Sequence, residues 1–271
     1  MTRPALPITP DVSSRLSGEP LLLLLDVDGT LSPIAPRPDY AVVPPATQAV
    51  LRALVALPHV HVASISGRAA DDARRLVGVD GTWTIGNHGF EIAPPNAPAT
   101  ARDDVTAYAP RIGEAARRTR ELAREDGGII VEDKRWTLSV HYRLAHPRIV
   151  PELTSQVEAI ATELGLRVMR GKEVLELRPP IDIDKGSAAL DLARELGALD
   201  ESGSVLCAGD DRTDEDAFRA LRREKPAAVT VRVAHEAGER ETAAEFALPD
   251  TDAMRELLEH VLELRRVAAA R

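Results

Sequence analysis

The sequence predicts an α/β protein: a Rossmann-like core on a parallel sheet, carrying an inserted α+β domain. Two observations set the architecture. Short apolar runs alternate with helix-spaced segments in residues 1–92 and again in 181–271, the pattern of a parallel sheet covered on both faces. Residues 93–180 break that rhythm with the order α-β-β-α-β-β, in which strands paired close in sequence call for an antiparallel sheet with helices on one face. A third observation sets the working edge. Polar strings rich in Asp and Gly follow directly on the runs, where an open parallel sheet binds its ligands.

In chain order, residues 1 to about 18 read as a loose, proline-rich lead-in. Residues 21–26 form a strand, apolar up to Asp26, and 46–57 carry helical spacing at Val50, Leu51, Leu54 and Leu57. Residues 59–64 give the next strand, 71–77 a short helix and 83–86 a third strand. After Phe90-Glu91-Ile92 the composition shifts to Ala93-Pro94-Pro95-Asn96-Ala97-Pro98, which marks a domain boundary. The insertion then reads as a helix over about 102–125, strands at 129–134 and 137–143, a helix at 149–164, and strands at 167–170 and 173–178. From Lys185 the first pattern resumes: a helix ending near Gly197, a strand at 205–208, a helix at 214–222, a strand at 229–233 and a last helix at 251–267.

Composition narrows the partners. The 271 residues suffice for one large or two modest cores. With 3% aromatic content those cores must be mainly Ala, Val, Leu and Ile. A net charge of −9 argues against nucleic acid and anionic membranes, both of which reward basic surfaces. The single Cys207 excludes an intrachain disulfide and fits a reducing compartment. The proline-rich start lacks the basic and apolar segments of a signal peptide, and the run at 21–25 is too short to span a bilayer. A soluble, cytoplasmic protein is expected; the sequence leaves the oligomeric state open and is compatible with a monomer.

Four strings carry the chemistry. They are Asp26-Val27-Asp28-Gly29-Thr30, Ser66-Gly67-Arg68, Lys185-Gly186 and Gly209-Asp210-Asp211-Arg212-Thr213-Asp214. Each alone has an ordinary explanation: a strand-end turn, a tight turn, a solvated lysine, a helix cap. Together they offer a carboxylate nucleophile, Asp26, and an acid/base two residues on, Asp28, for splitting phosphate ester hydrolysis into two steps. Ser66 in its turn and Lys185 at a helix start can hold the phosphate. Two carboxylates about 4 Å apart repel by roughly 4 kcal/mol at an effective dielectric near 20. A cluster of Asp26, Asp28, Asp210, Asp211 and Asp214 therefore needs a cation, and all-oxygen ligands favour Mg²⁺ over Zn²⁺.

With these four motifs in this order, the chain resembles the haloacid dehalogenase-like phosphatases. The resemblance implies the core fold, nucleophile Asp26, acid/base Asp28, phosphate contacts from Ser66 and Lys185, and a Mg²⁺ held by the Asp26 side chain, the Asp28 carbonyl and the Asp210 side chain. Asp211 and Asp214 are further metal candidates. The insertion looks like the larger mixed α/β cap of that superfamily.

Period-two reading of the cap strands separates an apolar from a charged face. Lys172, Glu176 and Arg178 share a side with Val174, opposite Leu175 and Leu177. Ser139, His141 and Arg143 oppose Leu138, Val140 and Tyr142, while Glu132 and Lys134 share one side. Such a face could simply be solvated, but it also suits a hydroxyl-rich substrate. The strings Asn87-His88-Gly89-Phe90-Glu91, Glu132-Asp133-Lys134, His141-Tyr142-Arg143, the stretch from Gly171 to Pro179, and Gly209 to Asp216 are similar to the trehalose-6-phosphate phosphatase family. That resemblance places Arg68, His88, Lys134, Arg143, Lys172 and Glu176 at the substrate, Arg143 and His88 having structural pairing as the alternative. Arg135-Trp136 is bulkier than the resemblance leads one to expect.

The expected function is Mg²⁺-dependent hydrolysis of trehalose-6-phosphate by a stand-alone phosphatase. The rivals are a phosphatase or phosphomutase for another sugar phosphate, and a catalytically silent sugar-phosphate sensor. Retention of both Asp26 and Asp28 speaks against the sensor.

Overall fold

The computed structural model describes residues 8–171, 173–234 and 241–269. The chain packs as two units, residues 1–100 with 183–271, and residues 101–182.

Among the described residues the first unit begins with a helix, α1 (Pro10–Arg15), within the stretch where the sequence reading expected a loose lead-in; residues 1–7 of that stretch lie outside the described residues. Thr9 caps it by accepting from the Val12 N–H, and Pro10 occupies its first turn. Val12 and Leu16, one helical turn apart, are buried in the core, and this tertiary burial is what the composition did not reveal. β1 (Leu21–Leu25) follows, then α2 (Pro45–Val55), β2 (Val60–Ile65), α3 (Ala70–Val77), β3 (Trp83–Gly86), β4 (Glu91–Ala93) and the two-residue β5 (Thr100–Ala101).

In the second unit α4 (Asp103–Thr106) and α5 (Ala109–Leu122) replace the single helix expected over 102–125. Pro110 explains the break, since it lacks an N–H and sits in the first turn of α5. β6 (Ile130–Asp133), β7 (Leu138–His141), α6 (Val150–Glu163), β8 (Arg167–Gly171) and β9 (Val174–Arg178) complete the unit. Its sheet has the order β6-β7-β9-β8, with every pair antiparallel. Leu138, Val140, Leu175 and Leu177 meet Ile112 and Ala115 of α5 and Leu153 and Val157 of α6 in one core, so the helices cover one sheet face as expected.

The chain then returns to the first unit with α7 (Lys185–Glu195), β10 (Ser204–Gly209), α8 (Asp214–Glu224), β11 (Val229–Val233), β12 (Phe246–Leu248) and α9 (Thr251–Ala269). The sheet order is β12-β11-β10-β1-β2-β3-β4-β5. It is parallel from β12 through β3, and β4 pairs antiparallel to β3. β1 explains the central position. Its five leucines are fully buried, Leu21, Leu23 and Leu25 in a core with α2 and α9, Leu22 and Leu24 in a second core with α7 and α8. A strand with apolar side chains on both faces is stable only with a layer on each side. β1, β2 and β10 point the same way, so Asp26, Ser66 and Asp210 leave the sheet at one edge. No helix among the described residues is long and apolar enough to cross a membrane.

Candidate active site

Asp26 is the first residue beyond β1, and its N–H still donates to the Ala208 carbonyl of β10 (2.9 Å). The chain then turns sharply: the N–H groups of Leu31 and Ser32 donate to the Val27 carbonyl at 3.0 and 2.8 Å. Gly29 makes this turn possible, with φ +88° and no room for a side chain, since a Cβ would lie 2.3 Å from Asp210 Oδ2. The first and fourth motifs are thus in contact through a glycine.

Lys185, the first residue of α7, is buried at 2% exposure. A capping box formed by Asp184 and Ser187 fixes the start of its helix. Its Nζ donates to Asp26 Oδ1 (2.6 Å) and Asp214 Oδ1 (2.8 Å). Gly186 lets α7 approach α8, because a Cβ there would lie 2.6 Å from the Asp216 carbonyl oxygen. Asp214 also organises the loop after β10: its Oδ2 accepts from the N–H groups of Asp210 (2.9 Å) and Asp211 (3.0 Å).

Asp26, Asp210 and Asp214 each offer a carboxylate oxygen within 4.8 Å of the others'. Asp26 Oδ2 is buried and has no hydrogen-bond partner among the described residues. Asp211 takes a different part. Its Oδ1 accepts from the N–H and hydroxyl of Thr213 (2.8 and 2.7 Å) and from the Asp214 N–H (3.2 Å), capping α8.

Electrostatics shows a cluster short of positive charge. Burial raises the Asp26 pKa well above the usual carboxylate range; Lys185 opposes this, and Asp214, Asp210 and Asp211 add to it. Burial, then Asp214 and Asp211, pushes Asp210 up to about 8. Burial also raises Asp214, to about 6, against the pull of Lys185. Burial works against Asp211 too, but Lys185 and hydrogen bonds at Thr213 and Asp214 outweigh it and hold Asp211 below the usual range. For Lys185, burial disfavours the charge, and Asp214 and Asp26 overcome it. An all-oxygen donor set with an orphaned buried oxygen fits a hard divalent cation.

Ser66 is the first residue beyond β2, buried at 1% exposure, and its Oγ accepts from the Arg68 N–H (3.1 Å). Arg68 lies on Asp28: Nε donates to Asp28 Oδ2 (2.6 Å) and Nη2 to Oδ1 (2.8 Å). His88 sits over the second motif, since a Cβ on Gly67 would lie 2.4 Å from His88 Nε2. Its turn is strained: Asn87 and His88 have φ of +50° and +57°, where side chains are disfavoured. Backbone bonds hold that turn, from Asn87 N–H to the Arg68 carbonyl (2.7 Å) and from His88 N–H to the Ser66 carbonyl (3.0 Å). Glu91 Oε1 holds it from below, accepting from Asn87 Nδ2 (2.5 Å) and the Ala70 N–H (2.7 Å).

A family model described as Trehalose-phosphatase matches residues 24–252. The chain belongs to the trehalose-phosphatase family. It is 41% identical over 239 residues to a trehalose-phosphate phosphatase of Mycolicibacterium paratuberculosis, covering 86% of this chain and 60% of that protein. It is 39% identical over 248 residues to an uncharacterized glycosyl hydrolase of Mycobacterium tuberculosis, covering 90% of this chain and 18% of the relative. The chain thus spans less than two thirds of the length of either relative. Among solved structures, a crystal structure of a trehalose-6-phosphate phosphatase related protein matches with TM-score 0.79 and 27% identity, covering 91% of this chain and 99% of that one.

In this trehalose-phosphatase family member the remaining candidates lie in the second unit. Glu132, Ser139, Glu176 and Met169 occupy one register row across β6, β7, β9 and β8. Lys134, 10% exposed at its side chain, lies 3.6 Å from Glu176 and 4.0 Å from Glu132. Arg178 also pairs with Glu176. The bulky Arg135-Trp136 turn is accommodated with Arg135 at φ +71°, its guanidinium 4.4 Å from the Trp136 ring centroid and Trp136 itself buried. β7 ends at His141, so Arg143 lies beyond the strand in which the sequence reading put it. Its Nε donates to Glu173 Oε2 (2.8 Å), an exposed pair of the kind worth little. Lys172 lies outside the described residues.

Three residues near the first-unit site were not among the sequence candidates. Thr30 Oγ1 is buried with no hydrogen-bond partner among the described residues, Asp72 accepts from Arg68 (2.9 Å), and Glu91 braces the strained turn. Thr30 stands inside the first motif, and Asp72 is four residues from Arg68, so both had a local signal. Glu91 had none beyond its place in the Asn87 string.

Proposed function

We propose that this chain is a Mg²⁺-dependent phosphatase that hydrolyses trehalose-6-phosphate to trehalose and inorganic phosphate. The observation that carries the reading is Asp26: one carboxylate oxygen clamped by Lys185, the other buried and unpartnered among the described residues, at the strand edge of a trehalose-phosphatase family member. Asp26 attacks phosphorus, the bond from phosphorus to the sugar oxygen breaks, and Asp28 delivers a proton to that oxygen. Water then attacks the aspartyl-phosphate, Asp28 takes a proton from it, and phosphate leaves with Asp26 restored as a carboxylate. Lys185 and Ser66 hold the phosphate oxygens. The carboxylates of Asp26 and Asp210 and the carbonyl of Asp28 would hold Mg²⁺, with Asp214 behind them. Bound there, Mg²⁺ supplies the positive charge that lets a phosphate dianion approach this cluster.

Within residues 93–180, the polar sheet face would read the sugar, with Lys134 and Glu176 as its central groups; Lys172 is a further proposed sugar contact by its place in the sequence alone. Phosphate release from a panel of sugar phosphates, with and without Mg²⁺, tests the whole reading. Release should be strongest from trehalose-6-phosphate and should vanish on chelation. Absence of release from every ester sinks it. Glu176→Ala should cost roughly 2–5 kcal/mol of transition-state stabilisation on trehalose-6-phosphate, and far less on a small aryl phosphate. Unchanged selectivity over glucose-6-phosphate would remove Glu176 from the sugar site.

Metal binding has its own pH signature. A carboxyl with a raised folded pKa keeps a proton that the unfolded chain has already released. Asp210 and Asp214 therefore favour the folded metal-free protein at low pH, and that contribution is lost as pH rises from the ordinary carboxylate range towards about 8. Mg²⁺ competes with those protons. The rise in Tm caused by Mg²⁺ should be larger at pH 8 than at pH 5.5, as thermal melts at both will read. An equal rise at the two pH values would argue against Asp210 as a ligand.

A further inference from the structure

We infer that Arg68 is a positioning residue for Asp28, and not a grip on the substrate; the inference rests on the phosphatase reading above. Asp28 stands past the end of β1 with its side chain 41% exposed, so packing alone leaves its torsions free. Arg68 removes that freedom. Its Nε and Nη2 form a two-point fork on the Asp28 carboxylate, a geometry that fixes both the direction and the plane of the acceptor.

The fork is itself anchored. Nη1 donates to Asp72 Oδ2 (2.9 Å) in the first turn of α3, and Nη2 donates to the Pro38 carbonyl (2.9 Å). The Arg68 backbone is held between Ser66 Oγ and the Asn87 N–H. Four guanidinium donors are engaged by these contacts, out of the five that an arginine carries. A phosphate could reach at most one donor without displacing one of these four contacts, which argues against substrate binding as the main role. The carboxylate, by contrast, loses nothing it needs. Each of its oxygens gives one lone-pair site to the fork and keeps another for a proton in transit.

The consequence is that losing Arg68 should resemble losing Asp28. A double-mutant cycle with Arg68→Ala and Asp28→Asn, read on trehalose-6-phosphate and on an aryl phosphate, tests this. Arg68→Ala should lower kcat on trehalose-6-phosphate by about 10²-fold, the low end of what a positioned acid/base contributes. The loss on the aryl phosphate should be much smaller. Once Asp28 is already Asn, removing Arg68 should cost almost nothing more. Arg68→Lys keeps the charge but cannot make the fork, so it should behave like Arg68→Ala. Equal losses on the two esters, additive losses in the cycle, or full rescue by lysine would each overturn the positioning role.

Removing Arg68 also releases Pro38, so circular dichroism accompanies each variant. Should Arg68→Ala fail to fold, Asp72→Asn decides, because it loosens the fork without touching Asp28. A loss confined mainly to trehalose-6-phosphate supports the role, and a loss shared equally overturns it. Wild-type protein inactive on every ester would bring down the phosphatase reading and the positioning role together. An active wild type with additive Arg68 losses brings down the positioning role alone.

Discussion

Asp26→Asn should abolish phosphate release from trehalose-6-phosphate, with a fall in kcat of about 10⁴-fold or more, as when other enzymes lose their nucleophile. The substitution nearly conserves shape and removes the attacking charge. The fold should survive, for reasons specific to this cleft. Burial, Asp214, Asp210 and Asp211 all disfavour a charged Asp26, so its neutral isostere relieves repulsion. Lys185 keeps its second partner, Asp214, at 2.8 Å. The Tm without Mg²⁺ should therefore stay level or rise, while the Mg²⁺-dependent rise in Tm should shrink because one carboxylate is gone. Phosphate release and thermal melts on the same preparation separate the two effects. Near-normal turnover, with mass spectrometry excluding deamidation back to Asp, would sink the covalent route.

What could be read from the sequence was whatever a residue decides with its near neighbours. The five leucines of β1 demand a layer on each face wherever they sit, and the alternation of Leu138, Val140, Leu175 and Leu177 names the covered side of the second sheet. The motif order likewise placed Asp26 and Lys185 in one site, and they are 2.6 Å apart. The misses share a cause. α1 is held by its packing against the core and by the Thr9 cap, while β4 and β12 are three-residue strands that exist through pairing with β3 and β11. Arg68 and Asp211 show the same limit at the site. An arginine after Ser-Gly looks available for phosphate, and an aspartate beside Asp210 looks available for metal. The structure adds partners that neither string announces: Arg68 donates to Asp28, Asp72 and the Pro38 carbonyl, and the N-terminus of α8 takes one oxygen of Asp211. Sequence supplies the donor and acceptor types; the fold decides which partner arrives first.

Asp28→Asn should leave a different trace from Asp26→Asn, because acid catalysis matters only when the leaving oxygen is basic. The oxygen of a sugar departs as a strongly basic alkoxide unless it is protonated. A nitrophenyl oxygen departs readily without help. Loss of the acid should thus lower kcat on trehalose-6-phosphate by about 10²–10⁴-fold, and on nitrophenyl phosphate by much less. The geometry favours a clean reading of this comparison. Asparagine keeps one oxygen for one arm of the Arg68 fork and loses the other, while the Asp72 and Pro38 contacts still hold the guanidinium, and the Asp28 carbonyl proposed for Mg²⁺ is unaltered by a side-chain change. A plot of kcat against leaving-group acidity across several esters should accordingly steepen in Asp28→Asn. Parallel plots for wild type and variant, displaced by a constant factor, would mean that Asp28 supports the site without moving the proton.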